Sequence, residues 1–365
     1  MRGGTYAFNT EQQLINKNGT AALTIKVWNY PNEVPVITKG NITSWIYYTG
    51  ILVMGDYIHI KGLEITGWKQ MTSDHLYYGI IAESVQNCTF ERLNIHHNGF
   101  GFVIGDWTTH LSTNNYIINC DLHHNSDPLS AFNTNTPWGG ADGLRISTSD
   151  PNANHYIIGT RLWWNSDDGV DLYNNAGYVT FEKCWAWTNG YQPGVSVGSP
   201  DILATGGNGI GFKLGPTIEN YTTLKKRILK NCITYSNRSI GFDQNLAKCI
   251  VELNNNTAYY NSRGFNFNQV LELHIPHISK NNISYANTYS SAPIGQFSPE
   301  SIVDHCSFIN SGWQCTANPS FTVNDADFQS VNSTGIDGPR ASDGSLPEIA
   351  FPCIWFPIQI WLTPA

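Results

Sequence analysis

Four aspartates, one arginine and one lysine are spaced so that they could do chemistry together. Asp142 stands three residues before Arg145. Asp168 stands three before Asp171 and adjoins Asp167, in the run Asn165-Ser-Asp-Asp-Gly169. Carboxylates crowded at such spacing repel one another unless a cation joins them. Oxygen-only donors favour calcium over zinc, and a flexible site favours calcium over magnesium. No Glu stands at the twelfth position, so this is not an EF-hand. Lys213, in Gly206-Gly-Asn-Gly-Ile-Gly-Phe-Lys-Leu-Gly215, is the candidate base. Its glycines are expected to let a ligand approach closely, and no helix pattern follows that would suit phosphate. An ordinary lysine titrates near ~10.4. A divalent cation and Arg145 would lower that value, whereas Asp171 and Asp243 would raise it, and activity is expected to favour alkaline pH. The plainer reading is that each Asp caps a turn and that the lysine is a solvated surface charge.

What must position these residues is a repeat. Cys120-Asp-Leu-His-His-Asn125, Thr160-Arg-Leu-Trp-Trp-Asn165, Cys184-Trp-Ala-Trp-Thr-Asn189, Cys232-Ile-Thr-Tyr-Ser-Asn237, Asn256-Thr-Ala-Tyr-Tyr-Asn261 and Asn282-Ile-Ser-Tyr-Ala-Asn287 share one pattern, with looser copies ending at Asn98 and Asn310. Successive Asn residues lie 27, 40, 24, 48, 24, 26 and 23 apart, a period near 24 broken by insertions at 126–141 and 190–208. Residues alternate within each unit as in a strand. The Asn is expected to occupy a left-handed bend. A second strand opens with Gly at 143, 169, 211, 241 and 264. Short strands stacked at this period predict an all-β fold, a right-handed parallel β-helix of about ten coils. Superposing the coils puts Arg145, Asp171, Lys213, Asp243 and Asn266 in one outward column. The long insertions should line the binding face. Arg145, Asp243 and Asn208 are the candidates for substrate contact.

A further column, His96, His123, Trp163, Trp187, Tyr235, Tyr259 and Tyr285, falls two residues before each Asn. It is expected to be structural stacking rather than a sugar platform or a metal site. Cysteines share the repeat, and there is no CxxC pair, which predicts buried free thiols at Cys120, Cys184 and Cys232. The formal net charge of −8, with one compact basic cluster at Lys225-Lys226-Arg227, argues against nucleic acid as a partner. No apolar run is long enough to span a membrane. A monomer is expected.

Strands at Leu23–Val27, Tyr57–Ile60 and Leu63–Thr66 should form the first coils. The solenoid is placed at 1–320, followed by a tail at 321–351 packed along it. Met1-Arg2-Gly3-Gly4-Thr5-Tyr6 reads as the interior of a domain, so the N-terminus is expected to be truncated.

Taken in order, Ala141-Asp-Gly143, Asn165-Ser-Asp-Asp-Gly-Val-Asp171, Gly207-Asn-Gly-Ile-Gly-Phe-Lys-Leu-Gly215 and Gly241-Phe-Asp-Gln-Asn245 resemble family nine of the polysaccharide lyases, over roughly residues 57–351. The resemblance implies a secreted enzyme that cleaves pectin, an acidic plant cell-wall polysaccharide, by β-elimination. It implies Ca2+ held by Asp142, Asp167, Asp168 and Asp171, and Lys213 as base. Homogalacturonan is the first choice of substrate and rhamnogalacturonan I the second. Arg145 after Asp-Gly-Leu, and Pro216 where the family commonly has a second Gly, depart from the pattern and bear on substrate subtype. A non-catalytic carbohydrate-binding or adhesive β-helix is the alternative of another class. The uncharged stretch 352–365 breaks with the family's tail. Its possible codons, read two nucleotides on, yield an acidic segment like that tail, which predicts a shifted reading frame.

Overall fold

The computed structural model describes residues 1–9, 13–42, 47–73, 76–106, 108–129, 136–194, 203–216, 226–288, 295–307 and 323–351. Lys225, Asn310 and the doubtful stretch 352–365 lie outside the described residues, as do parts of both insertions. Every coil contributes one strand to each of three ten-stranded sheets, and every pairing within a sheet is parallel. Sheet A runs from Gly4–Phe8 to Ile283–Tyr285, sheet B from Gln13–Ile15 to Gly295–Phe297, and sheet C from Ile25–Trp28 to Ile302–Asp304. Strands Gly4–Phe8 and Gln13–Ile15 precede those named for the first coils, and each coil has three strands where the repeat showed two.

The repeating Asn is what turns the chain from sheet A to sheet B. Its side chain points inward and links coil to coil. Asn165 Nδ2 donates to Asn189 Oδ1 at 3.1 Å, Asn189 to Asn237 at 2.8 Å and Asn237 to Asn261 at 2.9 Å. Each Oδ1 also accepts the backbone N–H of the preceding ladder residue. Buried turn amides need such partners, since no water reaches them. The left-handed bend is therefore not at the Asn, as expected, but at the residue before it: His97, His124, Trp164, Thr188, Ser236, Tyr260 and Ala286 have φ of 49–54° or 55°. The strand-opening glycines answer the same ladder. A Cβ at Gly169 would stand 2.6 Å from the Gly211 carbonyl oxygen and 3.0 Å from Asn189 Nδ2. Gly211 is closed off in the same way by Gly241 and Asn237. Gly211, one of the glycines beside Lys213 expected to let a ligand approach, thus serves coil packing.

Inside the coil the core is one continuous cluster from Ile37 to Cys306, with Phe212, Phe242 and Phe265 stacked at 5.3 and 5.0 Å. The cysteines at 88, 120, 184, 232, 249 and 306 are free and buried. Burial pushes the Cys88 and Cys120 thiols up to about 12, far from the thiolate state that reacts. Iodoacetamide applied to the native protein should leave all six unlabelled in peptide mass spectra, and denaturant should expose them. Ready native labelling would contradict the inward register, and a disulfide mapped between Cys184 and Cys232 would contradict the free thiols.

The aromatic column stacks on the outer face of sheet A: His123–Trp163 at 4.0 Å, Trp163–Trp187 at 4.7 Å, Tyr235–Tyr259 at 5.7 Å. The C-terminal segment covers it. Phe328 packs on Tyr285, Ile336 joins the cluster around Trp163 and Trp187, and Phe351 meets Tyr235 and Tyr259 edge-on. Arg340 and Arg161 both pair with Asp121 at 2.7 Å and fasten the segment to the coils. A column sealed in this way is part of the packing rather than a sugar platform.

Candidate active site

The second strand of each coil presents alternate residues outward, and sheet B holds them in strict register. Arg145 pairs with Asp171, Asp171 with Lys213, Lys213 with Asp243 and Asp243 with Asn266. Neighbouring strands lie ~4.8 Å apart, so unlike charges separated by 26 to 42 residues of sequence become nearest neighbours. Asp142, Asp167 and Asp168 sit in the turns that lead into these strands.

Carboxylate oxygens of Asp142, Asp168 and Asp171 lie within 4.8 Å of one another, and all three residues are buried. The turn-capping reading and the cation reading hold together, because each carboxylate has two oxygens. Asp142 Oδ1 accepts the Asp168 N–H at 3.2 Å, and Asp168 Oδ1 accepts the Ile210 N–H at 2.7 Å. Asp171 Oδ1 accepts the Tyr173 N–H at 2.8 Å. Backbone amides thus fix one oxygen of each carboxylate and aim the other. Asp167, next to this trio, accepts the Asn208 N–H. Lys213 Nζ lies 3.3 Å from Asp171 Oδ2 and 3.0 Å from Asn208 Oδ1, both as hydrogen bonds. It also lies 3.0 Å from Asp168 Oδ2, an ion pair without hydrogen-bond alignment.

Burial and mutual repulsion dominate the electrostatics. Burial first, then Asp171, Asp167 and Asp168, holds the Asp142 carboxyl well above the usual range. Burial and Asp168 do the same to Asp167. Asp168 is pushed up by burial but restrained by Lys213, and rests at about 6. Burial works to lower Lys213, yet Asp168, Asp171, Asp167 and Asp142 raise it well past an ordinary lysine. One ammonium cannot neutralise four buried carboxylates. The remaining charge must be taken up by protons or by a cation, and the donors are those calcium prefers.

The other candidates divide. Asn208 joins the site through both its amide N–H and its side chain. Asp243 is engaged in structural bonds, accepting from Asn266 Nδ2 at 2.8 Å and Asn245 N at 3.1 Å. Arg145 lies half-buried over the Tyr173 ring, 5.1 Å from its centre. The two insertions meet beside the cluster, since a Cβ at Gly206 would run into the Pro137 carbonyl. Two braces escaped the sequence reading. Asp127 Oδ1 accepts the Ala141 N–H at 3.2 Å and the Ser166 hydroxyl at 3.1 Å, so it holds the segments that carry Asp142 and Asp167. Burial pushes its carboxyl up to about 7. Arg238 donates to the carbonyls of Ala204 and Gly207 and steadies the approach to Asn208. Asp127 lies inside an insertion and Arg238 just past a ladder Asn, where the repeat gives no signal.

Residues 1–289 match the family described as the Pel9A-like right-handed β-helix region. The chain belongs to this family of pectate- and rhamnogalacturonan-lyase-like β-helices. Pectate lyase L of Dickeya chrysanthemi is 30% identical over 310 residues, covering 84% of this chain and 62% of that protein. The chain therefore spans about three fifths of the length of that relative. Pectate lyase PEL9 of Emericella nidulans is 27% identical, covering 96% of this chain and 82% of that one. Among solved structures, pectate lyase Pel9A superposes with a TM-score of 0.74 at 25% identity, over 97% of this chain and 80% of that one. A rhamnogalacturonan lyase also reaches 0.74, at 22% identity over 98% and 88%, which shows a shared fold. In this member of the Pel9A-like family, the Asn ladder, all of sheet A and the acidic cluster fall inside the matched residues.

Proposed function

We propose that this chain is a secreted, calcium-dependent lyase that cleaves pectin-type polysaccharide, homogalacturonan first, by β-elimination with Lys213 as base. The observation that carries this reading is the contact of Lys213 Nζ with Asp168 and Asp171 in the sheet B column. A binding-only solenoid has no need of a lysine set into a carboxylate cluster. The pectate lyase names of the relatives support the substrate class.

Asp142, Asp168 and Asp171 would hold the ion, with Asp167 as the fourth carboxylate of the set. Calcium, when bound, neutralises a uronate carboxylate and makes the adjacent C5–H more acidic. Asp168 and Asp171 can balance either the Lys213 ammonium or a bound cation, but not both in full. With the ion in place Lys213 therefore loses the attraction that holds its proton, and its amine becomes available at lower pH. The amine takes the C5 proton, the electron pair forms the C4–C5 double bond, and the C4 oxygen leaves with the departing chain. The side chain of Asn208, 3.0 Å from Nζ, aims the amine.

The test is ultraviolet absorbance of unsaturated uronate ends on a panel of pectic polymers, with calcium and with chelator. Calcium-dependent absorbance on homogalacturonan is expected, with a rate that rises toward alkaline pH. Product from rhamnogalacturonan I alone would move the substrate, and binding without product on any polymer would refute the lyase reading.

A further inference from the structure

The outward column of sheet B changes character along the solenoid axis. Leu52, Ile81 and Val103 precede Arg145 in register, each on the next coil. Outward positions that carry aliphatic side chains need cover, and Tyr78 and Phe100 supply part of it in one apolar cluster. Beside this cluster opens a cleft of about 330 Å³, lined by Tyr78, Phe100, Val103, Arg145, Ser147 and Asn174 among others.

Arg145 is the cation of this cleft. Among the described residues it forms no ion pair, and its recorded side-chain partners are the Ser147 hydroxyl at 3.4 Å and the Tyr173 ring. Asp106 also borders the cleft, but its carboxylate is turned to the loop. Oδ1 accepts the Ser112 N–H at 2.6 Å, and Oδ2 accepts the Ser149 N–H at 2.7 Å. A guanidinium with open donors in a half-enclosed cleft selects a planar anion, which it can grip through two parallel hydrogen bonds. The neighbouring apolar wall suits the C–H face of a pyranose ring. Acidic sugars offer both groups on one residue.

We propose that this cleft is a uronate subsite, which starts on the coil that carries Asp142 and extends toward the N-terminus, in which Arg145 binds the carboxylate of one sugar while Tyr78, Phe100 and Val103 receive its ring face. The polysaccharide then lies along the solenoid axis. One carboxylate falls at the Asp142–Asp168–Asp171 cluster and another at Arg145. This rests on the lyase reading for the identity of the polymer, but the subsite itself is a matter of binding.

Calorimetry with galacturonate oligomers, with calcium and with chelator, separates the two. Arg145→Gln should weaken binding of long oligomers by roughly tenfold or more, the loss expected when a charged hydrogen-bonded pair is broken. Arg145→Lys should recover part of it. Oligomers too short to reach from the cluster to the cleft should bind both variants as they bind the parent protein. In assays the loss should fall on KM. Equal affinities of the parent and Arg145→Gln for long oligomers, with folding verified by circular dichroism, would overturn the subsite even if the enzyme is an active lyase. A protein that releases no unsaturated product yet shows the Arg145-dependent binding would sink the lyase reading and leave the subsite standing.

Discussion

Replacing Lys213 with Ala should lower turnover on homogalacturonan by about 10²–10⁴-fold, the usual worth of a positioned base, while calcium binds at least as tightly as before. The second half follows from the site. The ammonium lies 3.0 Å from Asp168 and 3.3 Å from Asp171, so it competes with any cation for the same oxygens. Removing it removes the competitor. Lys213→Arg should be equally inactive, because a guanidinium holds its proton throughout the accessible pH range, yet it preserves the charge that the folded site expects. The pair of variants therefore separates loss of a base from loss of a fold. Calcium calorimetry and initial rates of absorbance are the measurements. If Lys213→Ala keeps more than about a hundredth of the parent rate, the base lies elsewhere.

The same geometry explains what could be read from the sequence. The step from Gly to the second residue after it is constant across sheet B, because only Gly fits against the Asn ladder. Arg145, Asp171, Lys213, Asp243 and Asn266 therefore share one offset from their Gly, and the strand pairings agree with it. Sheet C has no such marker. Tyr178–Glu182 and Lys226–Lys230 are adjacent strands there, yet their paired residues share no type: the inward pairs are Val179 with Arg227 and Phe181 with Leu229. This is also why Lys225-Lys226-Arg227 read as a basic patch. Arg227 is fully buried and donates to the carbonyls of Asn175 and Gly177, while Lys226 pairs with Glu252. The left-handed bend was assigned to Asn because Asn tolerates it. The structure gives that residue a stronger task, the buried amide ladder, and passes the bend to its neighbour. Asp127 could not be found from periodicity, since an insertion has no period.

Chelating the metal should make the protein less stable at pH 8 than at pH 5, and calcium should reverse the order. Asp142, Asp167 and Asp168 titrate higher in the folded chain than in the unfolded one, by burial and by one another. The folded state therefore binds more protons above pH ~4, and metal-free stability falls as pH rises through the folded values, of which that of Asp168 is about 6. Lys213 works in the opposite sense, but its raised pKa keeps that stabilisation in place until strongly alkaline pH. Calcium binds the ionised carboxylates, so its stabilisation grows with pH and reaches ~2.7 kcal/mol at a hundredfold excess over Kd. Asp127, raised to about 7 and outside the cluster, keeps a part of the decline that calcium does not relieve. Asp168→Asn sharpens the test. The amide oxygen can still accept the Ile210 N–H that Oδ1 accepts at 2.7 Å, so the turn survives. The variant should lose most of the calcium-dependent rise in Tm and at least ~10²-fold in rate, with metal-free Tm at pH 8 within about 3 °C of the parent. Thermal melts at both pH values, with calcium and with chelator, decide it. A large fall in metal-free Tm together with an unaltered calcium response would place the ion somewhere other than this cluster.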